Sequence, residues 1–388
     1  MIKNQWYVAD DSDAIAKGAR KRVRLCGLDF VLWRNEAGEA FCLSDVCIHR
    51  GASLGGGKVV EGSIECPYHG WRFGGDGVCN RIPSLGKDAA IPPRARVDSY
   101  PVIERYGWIW VFLGDQAENE RPPLPELEVW GDPKWRLIRG EYMWKANYAR
   151  IVENGTDPSH AAFVHPAFGD PSKPEVHDFK VEADAYSAYA VITMDPPEPK
   201  GIWKMSGRKK DPVTVKNGFH ISGAHVRIEV NITKSWKMII FDVNTPIDEH
   251  TTLTRYIMAR NFFTQSIFDA DSHRRTLSIF NQDAAIMEYV APELLPVYLH
   301  EEVTVRSDAI MVAWRNLRRE LVEKGWAIDT TAMKLDVDGK RAMVMPSPAR
   351  APGSPVARNF LLRTVPLVDG DTVRQEALSQ RHSQAAAE

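Results

Sequence analysis

Two short loops, Cys47-Ile48-His49-Arg50-Gly51-Ala52 and Cys66-Pro67-Tyr68-His69-Gly70-Trp71, constrain this chain more than any other stretch. Cys47 and His49 stand two apart, so in an extended loop both side chains point to one side. Cys66 and His69 stand three apart, which suits a turn begun by Pro67. Each loop therefore offers one sulfur and one nitrogen. A 2Fe-2S cluster held by two cysteines on one iron and two histidines on the other requires this inventory. Neutral imidazole ligands raise its potential above that of an all-cysteine cluster.

Structural zinc sites also mix cysteine and histidine, but they pair Cys-x2-4-Cys with His-x3-5-His, a spacing these loops lack. A chance grouping of satisfied core residues is the other bland reading. The two loops resemble a Rieske cluster motif. Respiratory-complex members of that group, which are pure electron carriers, carry an additional cysteine in each ligand loop. Ala52 and Tyr68 occupy those places here, so the resemblance is to the lower-potential oxygenase type.

A chain of 388 residues is too long for a small ferredoxin and suits about two domains. Lysine and arginine total 49 against 51 acids, so no basic excess argues for nucleic acid or a membrane surface, and small molecules and other proteins are the expected partners. Five cysteines are an odd number. Two have a proposed task, which leaves Cys26, Cys42 and Cys79 as free thiols in a reducing compartment. The opening residues show no apolar signal core, and no run approaches the roughly 18 apolar residues of a membrane span. A cytoplasmic protein is expected.

Residues 21–34 alternate around Val23, Leu25, Phe30 and Leu32 with Gly27 between two runs, as in a strand pair. Glycine-rich turns at 55–57 and 74–77 bracket the second loop, and no helical periodicity precedes residue 100. Val102–Glu104 and Trp108–Phe112 flank Arg105-Tyr106-Gly107, a hairpin signal that closes an all-β first domain. The proline-rich stretch 121–125 reads as a linker. The fold class expected is α+β, with a cluster domain over 1–118 and a second domain over 119–388.

The second domain opens with an extended segment at 135–142 and reaches its own informative run at Asn147. Asp157-Pro158 reads as an N-cap with proline at the first helical position, placing His160 in the first turn and His165 before Pro166. Five residues apart on an ideal helix, the two rings are rotated by about 140 degrees. They converge on one ion only if the helix is distorted or ends between them. An oxygen-activating mononuclear iron fed by a one-electron carrier wants two histidines and a carboxylate. Residues 266–290 read as a helix with Asp283 beside Asn281 and Gln282, and by pattern alone Asp283 is a solvated surface carboxylate.

Asn154-x2-Asp157-x2-His160-x4-His165, downstream of a Rieske motif, resembles the catalytic pattern of the large subunit of Rieske non-heme iron ring-hydroxylating oxygenases. The resemblance spans essentially the whole chain. It implies an antiparallel sheet covered by helices, helix-grip-like, and strand-like runs at 185–194, 223–231, 236–243 and 252–258 agree. It implies Cys47, His49, Cys66 and His69 as cluster ligands, His160 and His165 on the iron, and an aspartate on a late helix as third ligand. Asp283 fits that place best, with Glu288 as the fallback. It further implies a ring of three subunits in which Asp157 bridges His160 and His69 of the adjacent chain, with Asn154 near the iron's outer shell.

The implied activity is that of a terminal oxygenase using O2 and electrons from NADH or NADPH. The donor is a separate reductase or ferredoxin. No strand followed by Gly-x-Gly-x2-Gly is present to bind a nicotinamide in this chain. The expected substrate is a small aromatic or heteroaromatic ring. O- or N-demethylation through methyl hydroxylation by the same iron is the rival, and a non-catalytic carrier or zinc-stabilised module is the third reading. In length and in having one kind of subunit the chain resembles the phthalate-type and carbazole dioxygenases and the aromatic O- and N-demethylases, and the segments 153–160 and 307–315 look especially like the carbazole group. The later segment reads as a helix capped by Ser307 that packs in the core. Pocket residues are expected from the strands between 185 and 260 and the helix around Asp283. Residues after about 375 read as a loose tail.

Overall fold

Aromatic and β-branched residues crowd the N-terminal third, and they set its strands: Gln5–Asp11 (β1), Arg20–Leu25 (β2), Leu28–Arg34 (β3), Ala40–Ser44 (β4), Lys58–Val60 (β5), Ser63–Glu65 (β6), Arg72–Phe73 (β7), Cys79–Arg81 (β8), Ser99–Tyr100 (β9), Val102–Arg105 (β10) and Trp108–Leu113 (β11). The structure is a computed structural model that describes residues 1–167, 169–194, 213–339 and 341–376. The strands form three antiparallel sheets in the orders β1-β11-β10, β2-β3-β4-β9 and β5-β6-β7-β8. β11, Trp-Ile-Trp-Val-Phe-Leu, is buried along its whole length between β1 and β10, which explains its unbroken apolar run. The two tight turns expected from the sequence are present. Cys26-Gly27 and Tyr106-Gly107 both hold positive φ at successive positions, the backbone of a two-residue hairpin turn.

Packing divides the chain into two compact units, and the division is not the one at 118/119 that the sequence suggests. The first unit contains Met1–Leu124, Ile247–Glu249 and the chain from Leu321, and the second contains Pro125–Pro246 and His250–Glu320. The C-terminal segment joins the first unit because its apolar side chains complete that core. Ile328, Met333, Met343, Met345 and Val365 pack with Leu25, Phe30 and Val111. Tyr100 Oη donates to Met345 O at 2.7 Å. Fully buried Asp98 accepts from Ser347 Oγ at 2.7 Å and from Arg350 Nε and Nη2 at 2.6 and 2.8 Å. Residues 377–388, the expected tail, lie outside the described residues.

The second unit is built on Arg136–Trp144 (β12), Val181–Ala183 (β13), Ser187–Met194 (β14), Val213–His220 (β15), His225–Asn231 (β16), Lys237–Pro246 (β17) and Thr252–Arg260 (β18). These make one antiparallel sheet in the order β12-β18-β17-β16-β15-β14-β13. The expected strands are all there. β13 and β15 are two that the sequence did not announce, and β15 contains Asn217-Gly218, a pair that suits a turn.

Four helices serve the sheet: Tyr148–Thr156 (α1), Ala161–Val164 (α2), Asp269–Met287 (α3) and Ala309–Glu323 (α4). Phe280, Ala284 and Met287 of α3 pack on Trp144, Tyr256 and Met258 of the sheet. Asp269 at the start of α3 pairs with Arg136 and with Arg260 Nη2, the latter at 2.9 Å. An acid there also suits the positive end of the helix. α4 begins at Ala309, after a 3-10 turn at Arg306–Asp308 whose Asp308 Oδ2 accepts from Val305 N at 2.8 Å. Ser307 therefore lies inside that turn instead of capping the helix. Ile310 and Trp314 are buried as expected, and Arg315 is drawn in with them.

Candidate metal centres and substrate cavity

The two cysteine loops are closed by the same pair of hydrogen bonds. Cys47 N donates to Ala52 O at 2.9 Å and Gly51 N to Cys47 O at 2.8 Å, while Cys66 N donates to Trp71 O at 2.8 Å and Gly70 N to Cys66 O at 3.0 Å. Gly51 and Gly70 hold φ of 72° and 70°, which favours glycine at both corners. Asp45 braces the first loop, accepting from Ser53 Oγ at 2.6 Å and Gly55 N at 2.5 Å. The result sets two buried thiols against two facing imidazoles. Cys47 and Cys66 are each 2% exposed, and the rings of His49 and His69 lie 4.5 Å apart. Trp71 stacks on His49 at 4.5 Å and 6°. Burial pushes the Cys47 thiol up to about 12, with the neighbouring Cys66 adding to the effect. A metal that takes these ligands must displace their protons.

The four side chains fit a two-iron cluster better than a single ion. Among the described residues, the one set of three or more ligand atoms gathered within 4.8 Å lies elsewhere, at His160, His165 and Asp283. A tetrahedral zinc would draw all four loop donors within such a distance. His49 Nδ1 is buried without a hydrogen-bond partner, an atom left for a metal. Cys79, in the same core, turns its Sγ to Arg81 O at 3.3 Å and stands apart from the ligand set.

The second centre depends on a helix that stops early. Asp157 does make the expected capping contacts, Oδ1 accepting from Ser159 N at 2.7 Å and Oδ2 from His160 N at 3.2 Å. The helix itself begins later than the Asp-Pro signal suggests and runs for four residues, with His160 and His165 at its two boundaries. His165 leaves helical geometry at φ −114°, ψ 88°, which turns its ring back toward His160. Their Nε2 atoms lie 3.2 Å apart, and Asp283 Oδ1 is 3.2 Å from His165 Nε2 and 3.6 Å from His160 Nε2. An ion about 2.0–2.2 Å from each of three donors gives edges of this order. Asp283 is 5% exposed and its Oδ1 has no hydrogen-bond partner. The donor set, two neutral imidazoles and a carboxylate, suits a non-heme iron. Asp283 is thus a buried group of this site and no surface carboxylate, while Glu288 is exposed beyond the end of α3.

Each histidine has a partner on its other nitrogen side. His165 Nδ1 lies 2.9 Å from Gln282 Oε1, a geometry in which Nδ1–H donates and Nε2 stays free to bind a metal. Burial lowers the His165 pKa, but Asp283 and Gln282 outweigh it and raise the ring above its ordinary value. His160 Nδ1 stands 3.4 Å from Asp157 Oδ2, long for a hydrogen bond. Burial opposes the charge on Asp157, yet His160 and the Ser159 amide hold the carboxyl below its ordinary range. Gln282 is the member of this site that sequence reasoning passed over. Its only signal was its place beside Asp283.

α1 holds the approach to this centre. Asn147 caps it, Oδ1 accepting from Ala149 N at 3.0 Å. A buried ion network then pins it to α4. Arg315 Nε donates to Glu153 Oε1 at 2.5 Å, Arg150 Nη1 to Glu153 Oε2 at 3.0 Å, and Arg315 Nη2 to Glu302 Oε2 at 2.5 Å.

A cavity of about 380 Å³ opens onto the trio, walled by β12 and β14–β18 on one side and by α1, α2 and α3 on the other. Asn154 and Asp157 lie in its lining with His160, His165 and Asp283. Most of the remaining wall is valine, isoleucine and methionine. On β17 the inward positions are Met238, Ile240, Asp242 and Asn244, a period of two that turns polar at its later end. The strands between 185 and 260 and the helix of Asp283 line the cavity as expected, and β12, α1 and α2 contribute as well.

The Rieske [2Fe-2S] domain model matches residues 5–101, which contain both cysteine loops, and the vanillate O-demethylase oxygenase C-terminal domain model matches 144–324, which contain the trio. The methylxanthine N1-demethylase NdmA of Pseudomonas putida is 31% identical over 290 residues, covering 74% of this chain and 78% of that protein. The chain belongs to the Rieske non-heme iron oxygenases. This oxygenase is 30% identical over 312 residues to the vanillate O-demethylase oxygenase subunit of Pseudomonas sp. (strain HR199 / DSM 7063), covering 76% and 87% of the two chains. The structure of Pseudomonas putida CBB5 NdmA with caffeine matches it at a TM-score of 0.69 and 27% identity, over 81% of this chain and 89% of that one. It is the terminal oxygenase component of a multicomponent system, an enzyme of a family that uses a Rieske 2Fe-2S cluster, a mononuclear non-heme iron and O2. That membership sets aside the zinc-module and pure-carrier readings. No helix among the described residues is long and apolar enough to cross a membrane.

Proposed function

We propose that Cys47, His49, Cys66 and His69 hold the 2Fe-2S cluster of this oxygenase, and that His160, His165 and Asp283 hold its mononuclear iron. The convergence of two imidazole nitrogens and a buried, partnerless carboxylate oxygen in the wall of an apolar cavity carries this reading. The metals, when bound, supply electron storage and O2 activation. Gln282 orients the His165 ring and Asp157 the His160 ring. The apolar wall keeps bulk water from the reacting carbon. Asn154 lines the same space and serves as a polar positioning group.

The substrate is a small aromatic or heteroaromatic molecule that is hydroxylated at a carbon near the trio. A second reading has a specific support in the relatives, which include an N1-demethylase and an O-demethylase. There, one oxygen atom enters a methyl C–H bond, the other leaves as water after two electrons and two protons are taken up, and the hydroxymethyl group departs as formaldehyde. Electrons come from NADH or NADPH through a separate reductase or ferredoxin. The working assembly is a cytoplasmic homotrimer in which Asp157 links His160 to His69 of the next subunit.

The deciding experiment measures iron and acid-labile sulfide on iron-replete protein. About three irons for two sulfides are expected, and the His160→Ala variant keeps the sulfide while losing the third iron. Zinc without sulfide, or two irons that reconstitution fails to raise, refutes the assignment.

A further inference from the structure

A chain of hydrogen bonds in the polar part of the cavity wall brings two donors to one oxygen of Asp242. Trp144 Nε1, which can only donate, gives its hydrogen to Thr254 Oγ1 at 2.7 Å. The hydroxyl must then donate onward, and it does so to Asn244 Oδ1 at 2.5 Å. That fixes the amide. Asn244 Nδ2 donates to Ala224 O at 2.9 Å and to Asp242 Oδ1 at 3.0 Å. Val226 N adds a second bond to the same Oδ1 at 3.1 Å. Asp242 Oδ2 accepts none among the described residues, although Asp242 is 7% exposed and lines the cavity.

Among the described residues of the lining there is no lysine or arginine, and three aspartates, Asp157, Asp242 and Asp283, share the wall. A carboxylate oxygen that faces an apolar cavity without a partner is costly, and a ligand that supplies a hydrogen relieves it. A ligand that brings a second carboxylate or a sulfonate meets like charge in a low-dielectric space.

We propose that the cavity is specific for a largely apolar molecule without negative charge that donates an N–H or O–H hydrogen bond to Asp242 Oδ2. This deepens the oxygenase reading, on which it rests for the identity of the cavity as the substrate site. Asp242 is a specificity-determining residue here, and Thr254 and Asn244 hold it in register. Burial pushes the Asp242 carboxyl up to about 7, so the test is run at pH 8, where it is an acceptor.

Three probes of one shape separate the alternatives: 2-naphthol (a donor), 2-methoxynaphthalene (an acceptor only) and 2-naphthoate (an anion). Binding to the metal-loaded protein is followed by titration calorimetry without turnover. The naphthol is expected to bind about 10-fold or more tightly than the methyl ether, the scale of a hydrogen bond to a charged group, and the naphthoate not at all. In Asp242→Asn the backbone and Asn244 donors still claim Oδ1, so Nδ2 faces the cavity, where it can donate to the naphthol and the ether oxygen alike, and the preference for the naphthol is lost. A structural role alone would leave the preference unchanged. Equal binding of naphthoate and naphthol by the wild-type protein overturns the proposal without any variant, and so does an undiminished naphthol preference in Asp242→Asn. The His160→Ala variant retains the naphthol preference if the proposal holds. Failure of the iron assignment and failure of the specificity assignment are therefore read in separate measurements.

Discussion

Gln282 Oε1 and Asp283 Oδ1 flank a single imidazole, the first 2.9 Å from His165 Nδ1 and the second 3.2 Å from His165 Nε2. Consecutive residues of one helix thus fix both the orientation of the His165 ring and the charge set beside it. Replacing the amide by an apolar side chain of similar size keeps the helix and frees the ring. Gln282→Leu is expected to weaken iron retention by about 10- to 100-fold, with acid-labile sulfide unchanged. Iron release to a chelator, followed over time, measures it, and a wild-type release rate would refute the role.

Removing Arg315 leaves Glu153 buried with less compensation. Arg315 is 3% exposed and Glu153 is 6% exposed, so solvent screens the pair little. Arg315→Ala is expected to destabilise the second unit by about 3–5 kcal/mol. Urea unfolding followed by tryptophan fluorescence reads the loss, and a shift below about 1 kcal/mol would show that water replaces the guanidinium at little cost.

The first unit carries a comparable pair. Asp98 is fully buried and takes three hydrogen bonds from Ser347 and Arg350. Arg350→Ala is expected to cost about 3–5 kcal/mol as well, and to loosen the cluster unit while leaving the iron trio in place. The visible spectrum of the cluster during unfolding reports on the first unit, and retention of the mononuclear iron reports on the second.

Asp242 gives a pH signature of opposite sign to that of a paired carboxylate. Its folded pKa of about 7 lies above its ordinary value of 3.8, because burial disfavours the charge. Below 3.8 both states hold the proton and nothing is lost. Between 3.8 and 7 the unfolded chain releases it first, so stability falls as pH rises, and above 7 the penalty is complete. Asp242→Asn is therefore expected to stabilise the protein at pH 8, by on the order of 4 kcal/mol at most, and by little near pH 4. Melting temperatures of the two proteins across that range test the sign, and a gain independent of pH would refute it.

How much of this was readable in advance depended on range along the chain. The two cysteine loops were legible because both candidate ligands of each pair sit in one short turn. His160 and His165 carried the right chemistry at a spacing that an ideal helix denies. Only the early end of α2, set by packing around it, brings their rings together. Asp283 looked like a surface residue because Asn281 and Gln282 precede it. Which face of α3 is buried depends on a sheet whose strands come from elsewhere in the chain. Asp242 left a faint trace, a polar residue in phase with Met238, Ile240 and Asn244 on one strand. β15 was hidden by Asn217-Gly218, a pair that suits a turn and here lies inside a strand.

The return of the C-terminal segment to the N-terminal unit has a consequence for biosynthesis. Strands β1–β11 leave the ribosome first, yet the core around Leu25 and Phe30 lacks Met333, Met345 and Val365 until the rest of the chain has been made. That core is thus begun early and completed late, whereas Cys47 and Cys66 pack in a separate cluster whose buried members all lie between Val31 and Val97.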